Sequence, residues 1–271
     1  MERIKQALEK ARQERQMIAG KPAVTKIPTG NGSAPDSPQP AVYTQTQRIE
    51  VPKEFLHRQR IIAGIEPSSL TDVYRVLRTK VLQRLRGKGW SAIGVTSPRS
   101  GEGKTLTAIN LAISVAMEVH WTALLVDADL RSPRIHQFFG LKPGGGLSDH
   151  LMRAVPIENL LIQPGIDSLV LLPAGGSLVN SSELLGSPRM GHLVKEFKTR
   201  YPSRLVIFDM PAVLTSADTL AFSHHVDAVL LVTEEGKTEG EDLARAISLL
   251  KDTPIIGTVL NKASQAASDY N

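Results

Sequence analysis

Six short runs rich in Val, Ile and Leu follow one another from Trp90 onward, and segments with helical spacing separate them. In chain order the runs are SAIGVTS, ALLVDA, SLVLLPA, RLVIFDM, DAVLLVT and PIIGTVLN. Runs that are apolar throughout are typical of parallel strands that helices cover on both faces. They predict an α/β fold with a doubly wound, mostly parallel sheet, which binds its ligands at the carboxyl ends of the strands.

The first 90 residues have a different organisation. Residues 1–20 carry apolar side chains at helical spacing and predict an amphipathic helix. Residues 21–52 are rich in Pro, Gly, Ser, Thr and Gln and offer few large apolar side chains, so we predict a flexible linker there. The main domain is predicted over 53–271, with a second amphipathic helix over 69–86 and a short C-terminal tail.

Composition excludes several classes of protein. The chain has no cysteine, which excludes disulfides, thiolate metal sites and thiol nucleophiles. Its longest apolar run is far shorter than the roughly 18 residues of a membrane span, and the charged opening MERIKQALEK is unlike a signal peptide. We therefore expect a cytoplasmic protein. The net charge is +5, and its basic excess lies in the first 90 residues, which suits either an anionic membrane surface or a solvated extension.

The first apolar run leads into the loop PRSGEGKT, which an apolar helical segment follows. Glycines in such a loop let backbone N–H groups surround phosphate oxygens at a helix N-terminus. Pro98 stands where the common pattern has its first glycine, so the prediction depends on the rest of the loop and its strand–helix context. The predicted nucleotide-binding residues of this Walker A loop are Ser100, Gly101, Glu102, Gly103, Lys104 and Thr105.

Carboxylates follow two of the later runs. Asp127 and Asp129 end the run LLVDAD, and Asp209 ends LVIFD in the position of a Walker B aspartate. Carboxylates beside a phosphate loop are suited to holding Mg²⁺ or accepting a hydroxyl proton. We predict catalytic roles for Lys104, Asp127 and Asp129, and we predict that Thr105, Asp127 and Asp209 hold the metal.

The last run ends at Asn261, followed by Lys262. The amide side chain of Asn261 can both donate to and accept from adenine, whereas a guanine site of the NKxD type needs an aspartate where Ser264 stands. The sequence therefore predicts that the chain binds ATP with Mg²⁺ in preference to GTP.

These motifs together resemble the bacterial tyrosine kinases of capsule and exopolysaccharide export. The resemblance covers about residues 66–262 and implies that LLVDADLR is the Walker A′ motif. Its remaining matches are RSPRIHQFFGL, GLSDHL, LLPAG, NSSELLGSPRM, VIFDMPAVLTSAD and VLNK. The opening ERIKQALEKARQER and the proline-rich linker are similar to the subgroup associated with exosortase gene clusters.

The resemblance implies an ATP-dependent protein-tyrosine autokinase that regulates exopolysaccharide polymerisation or export. It further implies a transmembrane co-polymerase as activator, recruitment to the inner face of the membrane, and no nucleic-acid partner. The segment DVYRVLR resembles the family's oligomerisation motif, with Asp72, Arg75 and Arg78 on one helix face, and implies a ring-like homo-oligomer. Tyr270 is the expected autophosphorylation site, because it belongs to a segment of small polar residues that can reach a neighbouring copy.

Two alternatives remain at this point. A ParA/MinD-like ATPase, which switches with nucleotide and phosphorylates nothing, shares the phosphate loop but carries lysine where Arg99 stands and usually lacks an arginine like Arg131. A nucleotide-binding scaffold of an export complex is the other alternative, because the segment KASQAASDYN holds one tyrosine where the family usually has a cluster.

Overall fold

The computed structural model describes residues 46–64, 68–142, 144–201 and 203–264. The chain divides into two units, residues 1–39 and residues 40–271, and the first unit lies outside the described residues. The predicted helix over 1–20 and the predicted autophosphorylation site Tyr270 therefore cannot be compared with the structure.

The described residues form one eight-stranded sheet. Its strands are β1 (Gln47–Arg48), β2 (Ala92–Thr96), β3 (Thr122–Asp127), β4 (Ile162–Gln163), β5 (Leu169–Leu172), β6 (Arg204–Asp209), β7 (Ala228–Glu234) and β8 (Ile255–Asn261). Their order is β1-β4-β5-β3-β6-β2-β7-β8, and every neighbouring pair is parallel except β4 and β5. The predicted α/β fold with a mostly parallel sheet is confirmed.

Helices connect the strands and cover both faces of the sheet. Within the described ranges they are α1 (Lys53–Arg58), α2 (Ser69–Arg86), α3 (Lys104–Ala116), α4 (Ile135–Phe138), α5 (Leu147–Arg153), α6 (Ser181–Leu185), α7 (Pro188–Arg200), α8 (Asp218–Ser223) and α9 (Gly240–Leu249). The helix predicted over 69–86 is confirmed as α2, which begins after the capping hydroxyl of Ser68. No helix of this part of the chain is long and apolar enough to cross a membrane.

The apolar runs are continuous because both faces of each central strand are buried. In β3, Leu125 packs into the core on the side of α3, whereas Leu124 and Val126 pack into the core on the side of α7. All three side chains are fully buried. A strand with one wet face would need polar residues at every second position, and β3 has none between Ala123 and Val126.

The start of the sheet lies within the predicted linker. Gln47 pairs with Ile162 in a parallel register, and the N–H of Ile49 donates to the carbonyl of Gln163 at 2.8 Å. Ile49 and Val51 pack against the core, which explains why residues 46–52 are ordered although the segment before them is polar. The linker prediction therefore extended too far toward the C-terminus.

The strand order places two groups of loops on opposite sides of the phosphate loop. The loop follows β2, which lies between β6 and β7. Strand β3 lies beyond β6, and strand β8 lies beyond β7. The carboxyl ends of β3 and β6 therefore lie on one side of the phosphate loop, and those of β7 and β8 on the other.

Candidate active site

The backbone of the phosphate loop requires glycine at two positions. Gly101 and Gly103 have φ values of +89° and +96°, which side-chain-bearing residues rarely adopt. A Cβ atom on Gly103 would also lie 1.9 Å from Nδ2 of Asn261. Because α3 begins at Lys104, directly after Gly103, the loop presents a helix N-terminus to the site.

Lys104 lies at the centre of a buried charge cluster. Its Nζ atom is 3.0 Å from Oδ2 of Asp129 and 3.2 Å from Oδ1 of Asp209, and the hydroxyl of Thr105 donates to Oδ2 of Asp209 at 2.6 Å. Burial by itself lowers the pKa of Lys104, because it disfavours the charged form. The nearby carboxylates of Asp209 and Asp129 have the larger combined effect, so the pKa of the lysine is raised. Burial also raises the pKa of Asp209, against the opposing effects of Lys104 and Thr105.

Asp127 and Asp129 differ in their surroundings. Both oxygens of Asp127 accept backbone N–H groups, Oδ1 from Asp129 at 3.2 Å and Oδ2 from Arg134 and Ile135 at 3.0 Å each. Asp127 therefore fixes the turn that leads from β3 into α4, and burial raises the pKa of its carboxyl. Asp129 gives one oxygen to the N–H of Ser132 and turns the other toward Lys104. The sequence predicted a catalytic role for both residues and metal binding for Asp127 in addition, and it gave no sign that the backbone occupies both oxygens of Asp127.

The donors fit a magnesium ion that shares its ligands with phosphate and water. Among the described residues, no group of three or more His, Asp or Glu side chains is arranged to hold a metal by itself. Mg²⁺ commonly takes one or two protein ligands and completes its octahedron with water and nucleotide phosphate oxygens. The Thr105 hydroxyl and the Asp209 carboxylate, 2.6 Å apart at the loop, supply such a pair.

Asn261 lies against the phosphate loop from the opposite side. Its Nδ2 donates to the carbonyl of Glu102 at 2.9 Å, and Lys262 donates to the carbonyl of Gly101 at 2.9 Å. Glu234 pairs with both Lys262 and Lys237, at 2.9 and 3.3 Å. The predicted adenine-binding residue thus also holds the loop in place.

A cavity of about 540 Å³ opens on the side of β3 and β6. Its walls include Lys104, Thr105 and Asp129, together with the loop residues Ser100, Gly101 and Gly103. Asn261 and Glu102 do not line it. The structure therefore brings the predicted lysine, threonine and Walker A′ aspartate to one cavity, and places the predicted base-binding asparagine outside it.

Two supports of the site were missed by sequence reasoning. The buried carboxylate of Glu102 accepts the N–H of Arg99 at 2.9 Å and the hydroxyl of Thr238, which fastens the phosphate loop to the segment after β7. The guanidinium of Arg99 pairs with Asp242 on α9. Polar residues dispersed over more than 130 positions leave no local pattern, so no sequence signal identified these contacts.

The other support holds Arg131 in the wall of the cavity. Its Nε lies 3.1 Å from the hydroxyl of Ser181 and 3.3 Å from Oδ1 of Asp218, and both partners are fully buried. Ser181 donates to the same carboxylate. Both partners lie inside segments that the family resemblance already matched, NSSELLGSPRM and VIFDMPAVLTSAD, and that resemblance is the signal that could have found them.

The predicted oligomerisation residues do not share one exposed face. Asp72 and Arg75 form an exposed ion pair at 2.8 Å on α2. Arg78 instead turns toward α3, where it donates to the carbonyl of Ser114 at 3.0 Å and pairs with Glu118 at 2.7 Å. Within the described part of the chain, Arg78 therefore ties α2 to the domain, and Asp72 and Arg75 remain at the surface.

Known proteins with similar sequences include bacterial tyrosine kinases, although no family model matches the chain. The tyrosine-protein kinase YwqD of Bacillus subtilis is 34% identical over 217 residues, which are 79% of this chain and 90% of YwqD. The putative tyrosine-protein kinase EpsB of Ralstonia solanacearum is 36% identical over 171 residues, and the chain spans 22% of its length.

Solved structures agree with that relationship. The VpsO kinase domain superposes with a TM-score of 0.64 at 30% identity, over 72% of this chain and 96% of that one. MinD from Pyrococcus horikoshii, solved with Mg-ADP, has a TM-score of 0.55 at 22% identity over 64% of this chain and 71% of that one, which shows a shared fold alone. The chain belongs to the family of bacterial protein-tyrosine kinases of capsule and exopolysaccharide production.

Proposed function

We propose that the chain transfers the γ-phosphoryl group of ATP to a tyrosine hydroxyl at the β3/β6 side of the phosphate loop. The observation that carries this proposal is the contact of Lys104 with Asp129 and Asp209 at the wall of an open cavity. A cavity of about 540 Å³ has room for an acceptor side chain beside the phosphates, which a nucleotide switch does not need.

In the proposed reaction, the tyrosine oxygen bonds to the γ-phosphorus while the bond to the bridging oxygen of ADP breaks. Lys104 and the loop N–H groups stabilise charge on the transferring phosphoryl group. Asp129 receives the tyrosine proton, because it lines the cavity and one of its oxygens contacts only the side chain of Lys104, whereas both oxygens of Asp127 accept backbone N–H groups. Asp127 acts by holding the turn that carries Asp129.

We propose that Thr105 and Asp209 hold Mg²⁺. Asp127 is not proposed as a direct ligand, because both of its carboxylate oxygens already accept hydrogen bonds from backbone N–H groups. When bound, the ion neutralises charge on the β- and γ-phosphate oxygens. Asn261 is proposed to contact the adenine from the opposite side of the loop, with the amide oxygen that Glu102 leaves unused.

The experiment that tests the proposed function is incubation of the full chain with ATP and Mg²⁺, followed by mapping of phosphotyrosine by mass spectrometry. We expect phosphotyrosine in the wild type and its loss in Asp129→Asn, at unchanged thermal stability. ATP hydrolysis without phosphotyrosine, with the membrane activator present as well as absent, would contradict the proposal and favour a nucleotide switch.

Tyr270 is the proposed site of autophosphorylation, with transfer between copies in a ring-like oligomer. Its support is the segment SQAASDYN, whose small polar residues allow it to extend into a neighbour's cavity. Tyr270→Phe should remove most of the phosphotyrosine. Tyr43→Phe is the matched control and should remove little; the reverse result would move the site to Tyr43.

Oligomer formation is proposed to use Asp72 and Arg75, the exposed members of the predicted motif. Arg75→Ala should reduce the mass measured by light scattering and slow autophosphorylation, without lowering the melting temperature. Arg78→Ala is the comparison, because it breaks contacts with Ser114 and Glu118 inside one subunit and should lower the melting temperature. Equal masses for the wild type and Arg75→Ala would remove this surface from the proposal.

Residues 1–20 are proposed to dock on a transmembrane activator or on the inner membrane surface. The proposal rests on the amphipathic pattern of residues 1–20 and on the basic excess of the first 90 residues. Removal of residues 1–39 leaves β1 in place and should release the protein into the cytoplasm while nucleotide binding persists. Unchanged localisation would contradict this docking role.

A further inference from the structure

We propose that the cavity selects acceptor tyrosines that have a carboxylate side chain next to them in sequence. This inference rests on the proposed function and adds its substrate class. Its starting point is the set of arginines that line the cavity, namely Arg58, Arg60, Arg131 and Arg134. They come from two separate parts of the chain, the end of α1 and the segment between β3 and α4.

Three of the four arginines lack an acidic partner among the described residues. In residues 46–64, 68–142, 144–201 and 203–264, the side chains of Arg58, Arg60 and Arg134 form no ion pair. Arg131 pairs with Asp218 through Nε, which leaves its terminal nitrogens available. The carboxylate in the cavity wall, Asp129, is already paired with Lys104.

The position of these arginines favours the acceptor over the nucleotide base. They line the cavity together with Asp129 and Thr215, whereas Asn261 and Lys262 lie outside it, beyond the opposite side of the phosphate loop. The phosphates have Lys104 and the N–H groups of the loop as partners. An arginine can bind a carboxylate through two parallel hydrogen bonds, which fixes the orientation of the peptide that carries it.

The chain contains one tyrosine with a matching neighbour. Asp269 directly precedes Tyr270, whereas Tyr43 lies between Val42 and Thr44. Tyr74 and Tyr201 likewise have no acidic residue directly beside them. Charge complementarity between the arginines and Asp269 would therefore place the Tyr270 hydroxyl, rather than that of Tyr43, in a neighbour's cavity.

The arginines are largely exposed, so water competes for them and each contact contributes modestly. Two charge-assisted contacts made to one carboxylate are expected to change the ratio of acceptor rates by about tenfold. A tenfold difference in kcat/KM is large enough to measure, and it does not require any change in the chemical step.

The test uses the full chain carrying Tyr270→Phe as the enzyme and two peptides as acceptors, KASQAASDYN and KASQAASNYN. We expect kcat/KM to be about tenfold higher for the first peptide, mainly through KM. Arg60→Ala together with Arg134→Ala should remove that difference, while ADP affinity measured by calorimetry stays the same. Arg200→Ala, an exposed arginine on α7 outside the cavity, is the matched control and should keep the preference.

Equal kcat/KM values for both peptides would overturn the inference and leave the proposed kinase activity intact. A preference that survives in the arginine variants, or a loss of ADP affinity in them, would also overturn it, the latter by assigning the arginines to the nucleotide. In the chain with Tyr270 present, Asp269→Asn should slow autophosphorylation to a similar extent. Failure of the wild type to phosphorylate any tyrosine would instead contradict the proposed function.

Discussion

The two sides of the phosphate loop use charged residues in different ways. On the side of β7 and β8, acids and bases satisfy one another: Glu234 with Lys237 and Lys262, and Asp242 with Arg99. On the side of β3 and β6, three buried aspartates share one lysine, and of the four arginines that line the cavity Arg131 alone has an acidic partner among the described residues. Within the described part of the chain, neither the negative charge of these aspartates nor the positive charge of these arginines is fully balanced.

An unbalanced charge is costly to bury, so the buried aspartates are expected where a ligand supplies positive charge, whereas the exposed arginines carry no such cost. The aspartates are suited to binding a cation, such as the magnesium ion of a magnesium nucleotide. The arginines are suited to binding an anion, such as the carboxylate of an acidic acceptor. The balanced side fixes the loop instead, through Glu102, Lys262 and Asn261. We therefore assign the chemistry to the β3/β6 side of the loop and the support of the loop to the β7/β8 side.

The largest effect is expected for Lys104→Met, which removes the shared counter-charge on the β3/β6 side. Phosphoryl transfer should fall by about 10³-fold or more, because both the aspartates and the transferring phosphoryl group lose their positive partner. Autophosphorylation rate and melting temperature are measured together. A variant with more than a tenth of the wild-type rate would show that the cluster around Lys104 is structural.

A sharper test separates Asp127 from Asp129. Asp127→Asn should lower stability by about 1–3 kcal/mol as well as activity, because an amide replaces a carboxylate that accepts three backbone N–H groups. Asp129→Asn should lower activity with little change in stability. Chemical denaturation and rate measurements on both variants decide this. Equal destabilisation of the two would erase the distinction drawn here.

On the balanced side, Asn261→Ala should weaken nucleotide binding by about thirtyfold. The change removes both the proposed contact with adenine and the hydrogen bond to Glu102, each a contribution of about 1 kcal/mol. Calorimetry with ATP and GTP gives the result. An unchanged preference for ATP in the variant would mean that another residue reads the base.

The smallest effect concerns the pair of Arg99 and Asp242. The hydrogen bonds from Arg99 hold the pKa of Asp242 below its ordinary value, so Arg99→Ala should raise that pKa. Since the pKa is depressed in the folded protein, the pair's contribution to stability is present above the ordinary pKa and is lost as the pH falls through the depressed one. An NMR titration of the Asp242 carboxyl measures the shift, and activity near neutral pH should stay unchanged.

The strands and their ends were predictable from sequence because the responsible patterns are local. Six apolar runs became β2, β3, β5, β6, β7 and β8. Lys104 followed from the pattern of the phosphate loop, and the three aspartates followed from their positions at or just after strand ends. The two-residue strands β1 and β4 were missed, since they are too short to show a pattern.

Contacts between distant residues were not predictable in the same way. Three such contacts depend on how the helices pack against the rest of the chain. They are the ion pair of Arg78 with Glu118, the contacts of Arg131 with Ser181 and Asp218, and the backbone hydrogen bonds to Asp127. Spacing on a helix places Asp72, Arg75 and Arg78 near one another, but it does not say which of them a neighbouring helix covers.

The division between the two sides of the loop is tested most directly by measuring nucleotide affinity and turnover at saturating ATP for one variant from each side. We predict that Asp129→Asn loses turnover by at least about 10²-fold while its ADP affinity stays within about twofold of wild type. We predict the opposite for Asn261→Ala, with weaker affinity and turnover near that of wild type. If both variants lost affinity and turnover in the same proportion, the division of the site into a chemical side and a supporting side would be wrong.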